Sequence, residues 1–381
     1  MTRKLLPLLL LALSAPAWGA YAYKATVTLS SASGGSDLSN YTAAIKLLDT
    51  TFKPSGSGGQ IQHSGVPWTN AQTAPYDLIV TANSDCSSSS EKWEVEWWDQ
   101  ANGGVYIHKL FTTYSHTTGP VVYVCYGNAA VNTYQGGAKG AAWVGYTGVY
   151  HGGTPTTLSI VDSTSNANDC TLPGGAANPT ATTGQFGGGI LFTAANSQYL
   201  SCGTNSAFGI SGSGSTFTLE AWTQQTPGVT GVTLVGSYGG GYGDTIELVD
   251  GIYWRGSSAG VNAWAYSSPG TYSTGLLYYV AAIYNAGTNN DVYINGVGSG
   301  SPTTQTEPFT GSDPFGIGKE YSGFYSSGWE DEVRVSNSVR PAGYFATTYA
   351  NLSSVTAFAV VSAIGPLGGG ATSVTLTPII I

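Results

Sequence analysis

Charge is what this sequence has least of: 9% of its 381 residues are Asp, Glu, Lys or Arg. The 12 Lys and Arg stand against 21 Asp and Glu, a formal net charge of −9, with no basic cluster beyond the N-terminus. An acidic surface poor in lysine repels phosphate backbones, which argues against nucleic acid as a partner. Histidine is scarce as well. His63, His108, His116 and His151 are scattered, no Gly-x-Ser-x-Gly elbow is present, and a serine-hydrolase reading fails. No glycine-rich loop follows a strand and opens a helix, so the many Gly-x-Gly runs do not indicate a nucleotide. Cysteine is limited to Cys86, Cys125, Cys170 and Cys202, without the Cys-x-x-Cys spacing or neighbouring His pair of a zinc site. After residue 19 no apolar run is long enough to cross a bilayer, so no membrane span is expected in the mature chain.

What is present points to strands. The 54 Gly and abundant Ser disfavour helices, while Thr and the 25 Tyr and 10 Trp suit half-buried sheet positions. Low charge alone would suit disorder, but the hydrophobic content of 41% is enough for real cores. The length suits two domains, and the fold class expected is all-β, two β-sandwiches. Residues 1–19 carry basic Arg3 and Lys4, an apolar run from Leu5 to Leu13, and the exit Ala17-Trp18-Gly19. This reads as a secretory signal peptide cleaved before Ala20, with a buried N-terminal helix as the rival. The expected location is secreted or at the cell surface. In an exported chain the even cysteine count suggests disulfides. Four cysteines allow three connectivities, and their positions favour Cys86 with Cys125 and Cys170 with Cys202.

The first half reads as strands at residues 21–29, 41–48, 76–81, 92–99, 104–111 and 120–126, with a long Gly/Ser-rich loop over 53–68. In the stretch Lys-Trp-Glu-Val-Glu-Trp-Trp-Asp, Glu94 and Glu96 share one strand face with Lys92 and Trp98. Carboxylates so placed lie about 6.5–7 Å apart at the backbone, a separation glycosidases use. The preferred reading is an exposed sandwich face with alternating charge. These landmarks resemble a bacterial domain family of unknown function that precedes laminin-G-like domains in surface proteins. Glu94-Val95-Glu96, Trp98-Asp99, Val105-Tyr106-Ile107 and Cys125-Tyr126-Gly127-Asn128 carry the likeness. It implies a β-sandwich module at residues 20–135 and no chemistry. Cys125 stands where that family has an aromatic, which supports a local disulfide with Cys86.

Residues 136–141 read as a linker within a polar, Gly-rich hinge. Near the far end, Gly-Trp-Glu-Asp-Glu-Val-Arg-Val-Ser starts at Gly328. In a regular strand Glu330, Glu332, Arg334 and Ser336 share one face, and Asp331, Val333 and Val335 the other. The stretch resembles the closing strand of laminin-G-like jelly rolls, in the concanavalin A-like lectin/glucanase superfamily. Asp331, Glu332 and Arg334 are its structural motif, with Glu332 and Arg334 a same-face ion pair. Phe217-Thr-Leu-Glu-Ala-Trp222 resembles a further family strand, and Asn295-Gly296 its hairpin, suiting a type I′ turn. The aromatic segment from Tyr344 to Asn351 continues the pattern. The resemblance implies a concanavalin A-like jelly roll over residues 142–365, followed by a Gly-rich linker and an apolar terminal strand at 366–381.

The second domain lacks the Glu-x-Asp-x-x-Glu strand that a glucanase of this superfamily needs, so the chain is read as a non-enzyme. Calcium is a candidate cofactor. Asp162, Asn166, Asn168 and Asp169 supply oxygens from one loop that resembles the family's Asp-Ser-[ST]-Gly-Asn-x-Asn loop. The rival reading is an Asx-rich turn capping its own backbone. Tyr238, Tyr242, Trp254, Trp264 and Tyr266 are candidates for stacking on sugar faces, although most sandwich aromatics are core. The expected function is an exported, non-enzymatic surface or extracellular protein that binds a glycan or matrix component. An alternative is a structural subunit of a surface layer, sheath or filament, self-associating through the segment from Ser373 to Ile381. A glycoside hydrolase is third.

Overall fold

The computed structural model describes residues 21–367, except 69–71, 90–91, 212–215, 230–231, 238–242, 249–251, 259–260, 267–271, 286–289, 300–313 and 320–324. The first unit supplies β1 (Tyr23–Leu29), β2 (Leu38–Leu48), β3 (Ser64–Gly65), β4 (Ala74–Pro75), β5 (Leu78–Thr81), β6 (Trp93–Asp99), β7 (Gly104–Tyr114) and β8 (Val121–Tyr126). The second opens with β9 (Gly148–Tyr150), β10 (Gly153–Thr154), β11 (Thr157–Leu158), β12 (Thr180–Thr183), β13 (Gly188–Phe192), β14 (Leu200–Thr204) and β15 (Thr216–Gln225). It continues with β16 (Val232–Ser237), β17 (Gly243–Leu248), β18 (Ile252–Ser258), β19 (Val261–Tyr266), β20 (Leu277–Asn285), β21 (Asp291–Ile294), β22 (Val297–Gly298), β23 (Pro314–Ile317) and β24 (Gly328–Ser336). Helices α1 (Ala342–Ser353) and α2 (Val355–Phe358) and strand β25 (Ala359–Pro366) follow.

The first unit is two antiparallel sheets, ordered β25-β1-β8-β5 and β2-β7-β6. Val27, Val80 and Val124 of one and Ile45, Leu47 and Ile107 of the other are fully buried in a shared core. The second unit is a larger pair. An eight-stranded sheet runs β12-β13-β24-β15-β20-β21-β22, with β9 also on β24, and a six-stranded sheet runs β14-β23-β16-β17-β18-β19. Phe217, Leu219, Val333 and Val335 of the larger sheet pack with Leu200, Leu234, Phe315 and Ile317 of the smaller one. The described residues thus form an all-β fold of two sheet pairs, with helices limited to short segments. The turn Asn295-Gly296 has φ of +50° and +79°, as a type I′ hairpin requires. Cys86 is bonded to Cys125 and Cys170 to Cys202.

Alternate residues on the larger sheet face the other way. Trp222, Tyr279, Ala281, Ile283 and Tyr293 join the hydrophobic cluster of the first unit, together with Tyr344 and Phe345 of α1. The eight-stranded sheet is therefore covered on both faces.

Three features depart from the sequence reading or were given no form by it. The segment from Tyr344 to Asn351 is helical, because Tyr344, Thr348, Asn351 and Leu352 recur at helical spacing and are buried together. Its N-terminal turn lies so close to the β1–β2 loop that a Cβ at Gly34 would come within 2.7 Å of the Gly343 Cα. The second departure is at the end of the span assigned to the jelly roll. Residues 359–366 form β25, which pairs with β1 and completes the first unit's sheet instead. Residues 368–381, with the segment from Ser373, lie outside the described residues.

The third departure is in β24. Glu332 has φ of +52°, and the register against β15 slips between Glu220 and Trp222. This is a β-bulge, an extra residue that reverses the alternation. Asp331 pairs with Trp222 and Arg334 with Glu220, on the outer face, whereas Glu330 pairs with Ile190 on the core side. The two-face assignment made for a regular strand is corrected accordingly.

Asn351 closes the free edge of β2, its Oδ1 accepting from Ala44 N at 2.7 Å and its Nδ2 donating to Ala44 O at 2.9 Å. Asn351→Leu leaves one buried donor and one buried acceptor unpaired, so denaturant unfolding is expected to show a loss of about 3 kcal/mol. Cys86→Ser with Cys125→Ser opens a loop of 39 residues. The loop-entropy relation puts the expected loss at about 4 kcal/mol, read from the same unfolding curves.

Candidate functional site

Where the three-stranded sheet of the first unit meets the outer face of β24, the interface is polar. Register places Glu94 of β6 opposite His108 of β7. A second bulge, between Val95 and Trp97, re-aims Glu96 toward the same side. On the facing sheet the bulge at Glu332 turns that carboxylate outward, and β9 runs beside it, pairing Tyr150 with Val333 and leading into His151. Four side chains from four strands or strand ends therefore meet: Glu96, His108, His151 and Glu332. Each offers an oxygen or nitrogen lying within 4.8 Å of all the others, and all four residues are buried.

The contacts are short. His108 Nε2 is 2.8 Å from Glu96 Oε2 and 3.5 Å from Glu332 Oε1. His151 Nδ1 is 2.5 Å from Glu332 Oε1 and 3.6 Å from Glu96 Oε2. His151 Nε2 lies 2.9 Å from Glu94 Oε1, which also accepts from Trp143 Nε1 at 2.7 Å. Arg334 donates through Nε and Nη2 to Glu332 Oε2, as the sequence pairing anticipated. Trp143 lines the site, its ring 4.9 Å from that of His108 and 5.0 Å from the Arg334 guanidinium carbon. Asp331 stands beside the cluster, its carboxylate accepting from the backbone N–H groups of Phe186 and Glu332.

Such dense burial moves the ionisations. Burial pushes Glu96 well above the usual carboxylate range, and the charge of Glu332 adds to this. Burial lowers His108. For His151 burial also acts downward, but Glu332 and Glu94 prevail and hold it up to about 10. For Glu332 burial acts upward, and Arg334 with the two histidines overrides it to hold the carboxyl well below its ordinary value. The site is a mixed set of imidazole and carboxylate groups. A crevice reaches it from outside, lined by Trp68, Lys139, Val161 and Ser163 and floored by Glu94, Glu96 and His151.

Glu94 and Glu96 are thus 2% and 4% exposed, not on the open face expected for them, because the second unit lies over that face. His108 and His151 were not singled out from the sequence. Their signal is the pairing of His108 with Glu94, which depends on strand register. The four calcium candidates occupy one turn, but its oxygens are engaged locally. Asp162 accepts from Val149 N, Thr164 N, Thr164 Oγ1 and Asn168 N. Asp169 accepts from Asp162 N and Lys139 Nζ. The amide of Asn166 donates to Tyr146 O, and that of Asn168 to Thr147 O and Ala207 O. Among the sugar-stacking candidates, Tyr238 and Tyr242 lie outside the described residues. Trp254 lies in β18 opposite Ala265, while Trp264 and Tyr266 lie in β19 opposite Arg255 and Tyr253; the side chains of these three also lie outside what is described.

Comparison with known proteins places the second unit. Residues 194–343 match the concanavalin A-like lectin/glucanases superfamily. No curated protein matches the chain. Among solved structures, it is similar to domain 4 of AbnA, a GH43 extracellular arabinanase from Geobacillus stearothermophilus, in complex with arabinotriose. That likeness has 18% identity and a TM-score of 0.40, covering 54% of this chain and 99% of that one. The binding domain of Paraclostridial Mosquitocidal Protein 1 is similar at 12% identity and TM-score 0.42, with 53% of this chain and 52% of that one covered. The botulinum neurotoxin serotype G binding domain gives 12% and 0.43, with the same coverage of 53% and 52%. The chain spans about half the length of each toxin domain. Among the described residues no helix is long and apolar enough to cross a membrane. The chain carries a domain of the concanavalin A-like lectin/glucanase superfamily, matched at residues 194–343.

Proposed function

We propose that this protein is a non-enzymatic carbohydrate- or matrix-binding protein acting outside the cell or at its surface, with the six-stranded sheet of the jelly roll as its binding face. The observation that carries the reading is which sheet is left free. The first unit and α1 cover the outer face of the eight-stranded sheet. Among the described residues, none of the six-stranded sheet takes part in that shared core. The superfamily match lies on this domain, and Trp264 and Tyr266 fall on one face of β19, whereas register sets Trp254 on the opposite face, beside the core residue Ile246. Aromatic rings on an open sheet suit the apolar faces of sugars. Glu94 and Glu96 are engaged by Trp143, His151 and His108 at the joint of the two units, which supports a structural role for this pair over hydrolysis. The disulfides suit an oxidising compartment. Calcium at the loop of Asp162, Asn166, Asn168 and Asp169 belongs to the same reading as an assisting ion.

The test is retention of the full chain on a panel of insoluble polysaccharides, with calcium or chelator. Saturable retention is expected on at least one. The double variant Trp264→Ala, Tyr266→Ala should weaken it by about tenfold or more, equal to about 1.4 kcal/mol. Loss in chelator that Asp169→Asn reproduces would assign calcium to the loop. Retention that the double variant leaves unchanged, or no retention on any matrix, contradicts the proposal.

A further inference from the structure

We infer that Glu96, His108, His151 and Glu332 form a divalent transition-metal site, of the zinc class, that joins the two units of this protein. The donors are two imidazole nitrogens and two carboxylate oxygens. Imidazole together with carboxylate suits Zn²⁺ and its neighbours in the first transition row, whereas Ca²⁺ takes six to eight oxygens. Bonds of about 2.0–2.2 Å from a tetrahedral zinc imply donor atoms roughly 3.3–3.5 Å apart. Four of the six separations are 2.5, 2.8, 3.5 and 3.6 Å, and the others stay within 4.8 Å. A small rearrangement of side chains gives four bonds to one ion.

The surroundings point the same way. The second nitrogen of His151 meets Glu94 at 2.9 Å, and Glu94 is itself fixed by Trp143. A carboxylate behind a ligating imidazole orients the ring and raises its basicity. Arg334 holds the outer oxygen of Glu332 and leaves Oε1 turned into the cluster. Three buried carboxylates touch the two histidines, namely Glu94, Glu96 and Glu332, and of the three Arg334 pairs with Glu332. Buried Glu96 Oε1 and Glu94 Oε2 have no hydrogen-bond partner, so the charge is not spread over other donors. The crevice floored by Glu94, Glu96 and His151 supplies a route of entry. Ligands come from both units, so binding would bias the units toward the packed arrangement.

The test is metal analysis of the full chain, purified without a histidine tag and dialysed against metal-free buffer. About one equivalent of zinc per chain is expected, with a fall in melting temperature in dipicolinate and recovery on adding Zn²⁺ but not Ca²⁺. Cobalt reconstitution should give the visible absorption of four-coordinate Co²⁺. His151→Gln and His108→Gln should abolish stoichiometric binding. Since a ligand variant could also disturb folding, Glu94→Gln serves as the second variant. It should keep the fold and weaken zinc binding by about 10–100-fold. Asp169→Asn, in the other acidic loop, should retain the metal. A folded full chain that holds no transition metal and whose melting temperature Zn²⁺ does not move would overturn the inference. The cluster would then be a proton-bonded ion network.

Discussion

Burial of charge between two sheets is the constraint on which the rest depends. An ionised carboxylate withdrawn from water costs several kcal/mol unless partners replace the lost hydration. Here Glu94, Glu96 and Glu332 are each 4% exposed or less, and Arg334 is 2% exposed. Their partners come from different parts of the chain: two histidines from separate units, and Trp143 from the segment entering the second unit. The network forms only when β6, β7, β9 and β24 are all in place. Separation of the units would remove His108 from Glu332 and His151 from Glu94, leaving polar groups whose pairing is lost on both sides.

Apolar contacts extend the same joint. Tyr344 packs its ring 5.3 Å from that of Tyr41 in the first unit, while the adjacent Phe345 lies 4.3 Å from Tyr293 in the second. Helix α1 is therefore a wedge with one ring on each side. Arg340, just before it, lies 4.4 Å from the Tyr146 ring and donates to Gly145 O. Beyond α2, β25 adds to β1 through six paired residues. The first sandwich is thus completed by chain that follows the second, and the order of sequence is not the order of folding units.

The sequence showed the repetitive parts of this structure well. Strand stretches and the Asn295-Gly296 turn follow from short-range patterns that local chemistry enforces, and the disulfide partners follow from which half of the chain each cysteine lies in. The joint was hidden because bulges at Glu96 and Glu332 break the alternation from which faces are read. A regular strand would have sent Glu330, not Asp331, to the side of Arg334. Glu94 and Glu96 looked like a solvated face because nothing in β6 itself reveals that another domain covers it. The two histidines are 43 residues apart and converge through tertiary packing alone. Helix α1 was missed because its Thr and aromatic content is strand-like, and its periodicity shows only in what it buries.

The central claim is that the two units are one cooperative body joined through a buried polar cluster and a shared core. Differential scanning calorimetry of the full chain tests it most directly. A single transition with equal calorimetric and van't Hoff enthalpies is the predicted result. Two resolved transitions, one for each sandwich, would contradict the account.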